Sequence, residues 1–306
     1  MSTTTASQPV AAHQLRDSAK TSVFESPKNF EKSPRLSGAV DAKLSFFDPP
    51  ANGEKPYNWA GANADNPPNG IPRNFGVDEQ TVTINDIRGR ETEFSLDNNA
   101  FQALPNVPSE MKYEDFNSDE TIRRVYYPEV ERLLLDHVPG SKRIFLFDHT
   151  IRRPNSSRSA VQRVHIDQTP KSAEARVRHH LPEEADTLLQ GRYRIINVWR
   201  PLNGPVQSNP LAVADSATVN DEDLVPVEHR YPDRTGETAA VKFNKAQKWH
   251  YWSVMNNEDR LLLKCYDSDE TYGRWGRVPH TAFEDPRTPA DAPGRESIEV
   301  RALVFG

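Results

Sequence analysis

The last run of the chain, from Arg295 to Phe305, alternates apolar and polar residues with the period of a strand. Side chains repeat every second residue along a strand, so Ile298, Val300, Ala302 and Val304 form one apolar face. Arg295, Ser297, Glu299 and Arg301 share the other. That second face is either polar and inside a barrel, with Glu299 and Arg301 paired at depth, or solvated beyond its first residues. Arg295 and Ser297 stand next to each other on it. A planar guanidinium forms two parallel charge-assisted hydrogen bonds to a carboxylate, and a serine hydroxyl adds one more, so the pair is a candidate grip for a carboxylate ligand. The competing reading is a surface arginine paired with Glu296 or Glu299.

A second constellation lies upstream. His165-Ile166-Asp167 places an imidazole and a carboxylate on the same side of an extended segment, where both can reach one metal ion. With 9 His and 44 acidic residues in the chain, about one His-x-Asp/Glu triplet arises by chance, so the triplet alone is weak and competes with a plain strand-end pair. Order and context raise it. A distant second imidazole completes a two-His, one-carboxylate face, which on Fe(II) leaves coordination positions open for cosubstrate and O2. Two histidines contend for that place. His250 sits among aromatics in Lys248-Trp249-His250-Tyr251-Trp252 and is followed by Arg260, which has no serine partner. His280 is followed by Arg295 and Ser297, which favours His280. The resulting set, with Arg295 as the clamp for the distal carboxylate of 2-oxoglutarate, points to an oxygenase. Asn197 and Trp199 share one face of a later strand and are candidates to contact cosubstrate or substrate, although a strand Trp is more often core.

The composition bounds the alternatives. With 306 residues and 36% of them hydrophobic, the chain can bury a sizeable core. A net charge of −6 and a mean hydropathy of −0.76 argue against a nucleic-acid partner, and no segment approaches the apolar run a membrane helix requires. The first 25 residues lack a basic-then-apolar signal pattern. The lone Cys265 cannot form an internal disulfide, which fits a reducing cytoplasm, and it excludes a thiolate zinc site or iron–sulfur cluster held by this chain alone. Any metal must use His and carboxylate.

Residues 1 to about 40 carry too few apolar side chains to offset the entropy of ordering and are expected to form a mobile tail. The remainder, 41–306, reads as one domain, with residues 41–110 as an N-terminal strand layer and 111–306 as helices and core. Asn117 with Glu120 could cap a helix whose apolar face is Ile122, Tyr126, Val130, Leu133 and Leu134, with Pro128 kinking or restarting it. A second helical stripe runs Ala173, Val177, Leu181, Ala185 and Leu188, divided at Pro182, with His179-His180 facing solvent. Strand composition recurs at 143–147, 162–167, 192–199, 211–219, 241–243, 247–255, 260–266 and 295–305. Strands separated by irregular loops, with helices mostly N-terminal, imply a mainly β fold: a cupin-like double-stranded β-helix, or jelly roll, with flanking helices.

The stretch Ile195-Ile196-Asn197-Val198-Trp199-Arg200-Pro201-Leu202-Asn203-Gly204-Pro205-Val206, with Asn209-Pro210-Leu211-Ala212, resembles the signature of the fungal gibberellin-desaturase-like family. This family of hydroxylases and desaturases of secondary metabolism includes relatives of the bacterial cephalosporin methoxylation proteins. Phe147-Asp148-His149-Thr150-Ile151-Arg152-Arg153, Leu263-Lys264-Cys265-Tyr266-Asp267-Ser268, Pro279-His280-Thr281-Ala282-Phe283 and Arg295-Glu296-Ser297-Ile298-Glu299-Val300-Arg301-Ala302 resemble the same pattern, and the likeness spans roughly 110–306. It implies a non-haem Fe(II)/2-oxoglutarate-dependent dioxygenase with His165, Asp167 and His280 as ligands and Arg295 as the cosubstrate arginine. Such an enzyme would release succinate and CO2 while a ferryl oxidant takes hydrogen from a small-molecule substrate. The family position of His250 is typically aromatic, so His250 is a departure. Substrate identity and oligomeric state, a homodimer included, stay open.

Two rival classes remain at this stage. One is a non-redox cupin-like small-molecule-binding protein; the other, suggested by the methoxylation relatives, is a methyltransferase-associated protein. The second lacks a Gly-x-Gly run closing a strand-to-helix nucleotide turn.

Overall fold

The computed structural model describes residues 36–306 apart from 62–63, 65, 155, 157, 270 and 272–275. Most of the expected tail, residues 1–35, lies outside the described residues, and Val40 already opens the first strand. In chain order the described strands are β1 (Val40–Asp48), β2 (Tyr57–Trp59), β3 (Gly76–Asp86), β4 (Phe101–Leu104), β5 (Arg143–Arg152), β6 (His165–Ile166) and β7 (Tyr193–Pro201). There follow β8 (Leu211–Ala214), β9 (Leu224–Arg230), β10 (Thr235–Val241), β11 (Trp249–Tyr251), β12 (Arg260–Asp267), β13 (His280–Ala282) and β14 (Ser297–Phe305).

These strands form a nine-stranded sheet, β1-β3-β11-β8-β13-β6-β10-β9-β2, and a five-stranded sheet, β4-β12-β7-β14-β5. The two are the walls of a jelly roll. Ile195, Trp199, Leu263 and Leu303 of the smaller wall share one core with Leu211 and Val213 of the larger. The N-terminal strands are built into these walls: β1 and β3 pair antiparallel at one end of the large sheet, and β4 pairs with β12 at the edge of the small one. Strands β9, β10 and β13 were not fully legible in the sequence, since Pro226 interrupts the first and Thr235-Gly236-Glu237 carries little strand signal.

The alternation of β14 resolves into two distinct environments. Ile298, Val300, Ala302 and Val304 pack outward, with Ile196 and Val198 of β7, against Tyr126, Val130, Leu133 and Leu134 of the neighbouring helical segment. Each of the fully buried valine and isoleucine side chains contributes about 1.5–3 kcal/mol. The charged face points into the barrel, where Arg301 donates to Asp148 (2.6 Å), Thr150 (2.8 Å) and Glu299 (3.3 Å). The pairing at depth is therefore the one that holds. A bulge between Arg301 and Ala302 lets β14 keep Arg301 opposite both Asp148 and Asn197.

Local sequence explains the helices with two corrections. Ser118, not Asn117, caps the first, its hydroxyl accepting from the Thr121 amide. A π-helical turn over Ile122–Tyr126 then leads into the helix Tyr127–His137, with Pro128 in the first turn, where its missing N–H is least costly. The helix Pro170–His180 is capped by Thr169 through a reciprocal bond with Ser172. His180 at its end is not a solvent-facing residue: its ring stacks on Phe147 at 5.1 Å.

Candidate metal centre

Strand β6 is only two residues long, yet it is hydrogen-bonded to β10 on one side and β13 on the other, and the register puts His280 directly opposite His165. Ile166 faces the outer core with Ala212 and Val241, so His165 and Asp167 turn the other way, into the barrel. The donor atoms of His165, Asp167 and His280 all lie within 4.8 Å of one another. Oδ1 of Asp167 is 3.3 Å from Nε2 of His165 and 3.9 Å from Nε2 of His280, and the ring centroids are 4.4 Å apart.

Both rings are oriented by the same device. Nδ1 of His165 donates to the carbonyl of Arg163 (2.8 Å), and Nδ1 of His280 donates to the carbonyl of Val278 (3.1 Å). A carbonyl only accepts, so each Nδ1 carries the proton and each Nε2 lone pair points at the shared space. Burial, then the neighbouring His165, pulls His280 down to about 4, so this ring is neutral at physiological pH. Burial opposes charge on His165, but the hydrogen bond and the charge of Asp167, with the Arg163 carbonyl and Glu299, together outweigh that and raise it above the ordinary imidazole value. Asp167 also resists ionisation through burial, yet His165, His280 and Arg301 hold it well below the usual carboxylate range.

Asn197 donates from Nδ2 to Oδ2 of Asp167 at 2.8 Å. The strand period had placed Asn197 in the cavity as a cosubstrate or substrate contact; what it touches is the carboxylate itself. Its own Oδ1 is buried without a partner. Trp199, two residues on, lies in the barrel core, and the guanidinium of Arg295 sits 5.3 Å above its ring. Arg295 is 8% exposed, donates from Nη1 to the Asn209 carbonyl (2.5 Å), and leaves Nε buried without a partner. Burial, with the nearby Arg152 adding and Glu299 opposing, lowers it to about 10. A guanidinium buried beside no bonded carboxylate is costly unless a ligand supplies one. Ser297, 1% exposed, stands opposite Pro201 and Arg152. The donor set and the orphaned Arg295 thus fit a metal ion and an acid ligand together.

Residues the sequence left open are placed elsewhere. His250 packs against the stacked rings of Phe94 and Phe101, with centroids at 4.9 and 6.0 Å, and takes no part in the cluster. Arg260 donates from Nη1 to the carbonyls of Asn257 and Asp259 and lies beside Tyr126 of the outer core, its Nη2 buried without a partner among the described residues. One further site residue escaped the sequence reading: His229 of β9, whose Nε2 bonds Thr238 (2.7 Å) and whose Nδ1 meets the Asn58 amide (3.1 Å). His229 and Asp167 line both cavities that open on the cluster, one of about 270 Å³ and one of about 420 Å³. No residue pattern around Val225-Pro226-Val227 announced that role.

A family profile described as an oxidoreductase/YMDC permease-like domain matches residues 44–305. The hydroxylase/desaturase poxK of Penicillium oxalicum is 36% identical over 271 residues, 78% of this chain and 83% of that one. The Fe(II)/2-oxoglutarate-dependent dioxygenase nvfI of Aspergillus novofumigatus is 34% identical over 241 residues, 76% of this chain and 86% of that one. The chain belongs to the Fe(II)/2-oxoglutarate-dependent hydroxylase/desaturase family. A solved structure of the iron and alpha-ketoglutarate-dependent endoperoxidase NvfI superposes on this oxygenase with a TM-score of 0.78 at 30% identity, covering 88% of this chain and 98% of that one. The non-redox binding and methyltransferase-associated readings give way to that membership. Despite the word permease in the profile's description, no helix among the described residues of the oxygenase is long and apolar enough to cross a membrane.

Proposed function

We propose that His165, Asp167 and His280 hold the ferrous ion of this dioxygenase and that Arg295, with Ser297, grips the distal carboxylate of 2-oxoglutarate. The observation that carries the assignment is the pairing of three convergent donors with a buried arginine whose Nε lacks a partner. Charge supports it. Two neutral imidazoles and one carboxylate leave Fe(II) near +1, the 2-oxoglutarate dianion brings the assembly to −1, and Arg295 restores neutrality, which a buried site tolerates.

When bound, the iron with 2-oxoglutarate and O2 supplies the oxidising power that a protein side chain lacks, releasing succinate and CO2. The chain's own residues position and shield. The Arg163 and Val278 carbonyls fix the two tautomers, Asn197 fixes one oxygen of Asp167, and Trp199 supports the Arg295 guanidinium from below. The substrate is a small molecule, hydroxylated or desaturated according to which carbon the cavity walls hold nearest the metal. The lone Cys265, buried so that its thiol is pushed up, fits a cytoplasmic enzyme, and residues 41–306 fit a single catalytic domain.

The direct test is anaerobic titration with Fe(II) and 2-oxoglutarate, which is expected to produce the weak visible charge-transfer band of the chelate without any substrate. No band at saturating ligand would overturn the assignment. The band should fade as the pH is lowered: His165 keeps a proton above the ordinary imidazole value, and that proton competes with the metal, whereas His280 is neutral throughout the range. Asn197→Ala is expected to weaken iron binding by about 10–100-fold, as for other residues that orient a metal ligand. Equal iron affinity in that variant would show that the amide merely fills space.

A further inference from the structure

Beyond the cosubstrate grip, the larger cavity opening on Asp167 carries a charge imbalance. Its walls come from the helix Pro170–His180 and the β9–β10 hairpin, and they include Arg176 and Arg234. Each guanidinium rests on an aromatic ring, Arg176 at 5.5 Å from Phe147 and Arg234 at 3.9 Å from Tyr231. Stacking of this kind immobilises the plane and leaves the N–H edges free. Neither arginine has a carboxylate within ion-pairing distance among the described residues. The acidic groups close by are already engaged: Asp148 accepts from Arg301, and Glu237 accepts from Thr169 (2.5 Å) with Lys55 and Lys171 each 4.0 Å away. Burial holds Arg176 below its usual range, and Arg301 and Arg234 push it the same way, opposed by Asp148. Asp167, the other lining carboxylate, accepts from Asn197; Arg176 is half-buried and Arg234 exposed, and together they present two cationic groups to which an anion can bind.

The smaller cavity is the more apolar of the two, with a single arginine, Arg163, 5.5 Å from the Phe75 ring. Phe47, Phe75, Val161, Val227 and Ala240 line it, beside His165 and Asp167. The two cavities meet at Asp167, His229 and Thr238. Accordingly, we propose that the substrate is a carboxylate-bearing small molecule that straddles this junction, its acid group held by Arg176 and Arg234 and its apolar body in the Phe47/Phe75 chamber. This rests on the metal assignment only for the statement that the bound molecule is a substrate; the two arginines select an acid with or without iron.

The test measures, by calorimetry under anaerobic conditions, binding of apolar monocarboxylic acids of graded size and of their matched primary amides to the Fe(II)-loaded protein saturated with 2-oxoglutarate. Saturation keeps the acids off Arg295. At least one acid is expected to bind roughly tenfold or more tightly than its amide, as for hydrogen bonds to a charged group. In the Arg176→Gln/Arg234→Gln double variant that preference should vanish, while 2-oxoglutarate still yields its visible band. Acids that bind no better than amides, or no binding at millimolar concentration, overturn the proposal. So does an acid preference that survives the double substitution. A missing visible band with the acid preference intact would instead sink the metal assignment and leave an anion-selective pocket.

Discussion

Asp167→Ala is expected to reduce 2-oxoglutarate turnover to background while the protein stays folded, because the carboxylate is the one group that both imidazoles face. Removing it takes away a donor and also the negative charge that, after burial, holds His165 above its ordinary value. The folding cost is limited, since Ile166 and the strand pairing of β6 are untouched. Asn197 would lose its partner, a buried amide left unbonded, which costs about 1–3 kcal/mol. The check has two parts: oxygen consumption with Fe(II) and 2-oxoglutarate, and a circular-dichroism melt. Turnover near the parent level in a folded variant would remove Asp167 from the mechanism.

Arg295→Ala should act on the other half of the site. Loss of a bidentate, charge-assisted grip in a buried setting corresponds to about 2–3 kcal/mol, so the 2-oxoglutarate requirement should rise roughly 30–150-fold. Iron affinity should change little, because among the described residues Arg295 donates to the Asn209 carbonyl and makes no hydrogen bond to the donor cluster. Measuring the half-saturation concentration for 2-oxoglutarate and the iron dissociation constant on the same preparation separates the two. An unchanged cosubstrate requirement would move the grip to another cation, and Arg152, close enough to depress Arg295, is the first alternative.

Much of this site was readable from strand periodicity. The spacing of His165 and Asp167 gave a common face, and the alternation of β14 separated an apolar face from a polar one, because both depend only on a two-residue repeat; whether the polar face was buried or solvated stayed open until the fold was known. Choosing His280 over His250 needed the downstream Arg295 and the family likeness, since no local rule distinguishes two histidines flanked by apolar residues. The partners of Asn197 were beyond reach. Its face was correct, yet whether it met Asp167 or a bound molecule depended on β6 lying across from β7, a facing of opposed sheets with no trace in either segment. His229 was missed for a related reason: Pro226 and the polar hairpin hid β9, so no strand existed on which to place it. Arg176 was not singled out, since only the fold puts Phe147 beneath it and Arg234 on the same cavity wall.

The bond between Asn197 and Asp167 has one further consequence. With Oδ2 occupied by the amide, only Oδ1 is turned toward the imidazoles. A carboxylate tethered in this manner would offer a single bond to an ion rather than pinching it with both oxygens. His165, Asp167 and His280 would then supply one atom each, and the remaining positions would be left to ligands from outside the chain. Vacancy at those positions would thus be maintained by an asparagine that never touches the ion.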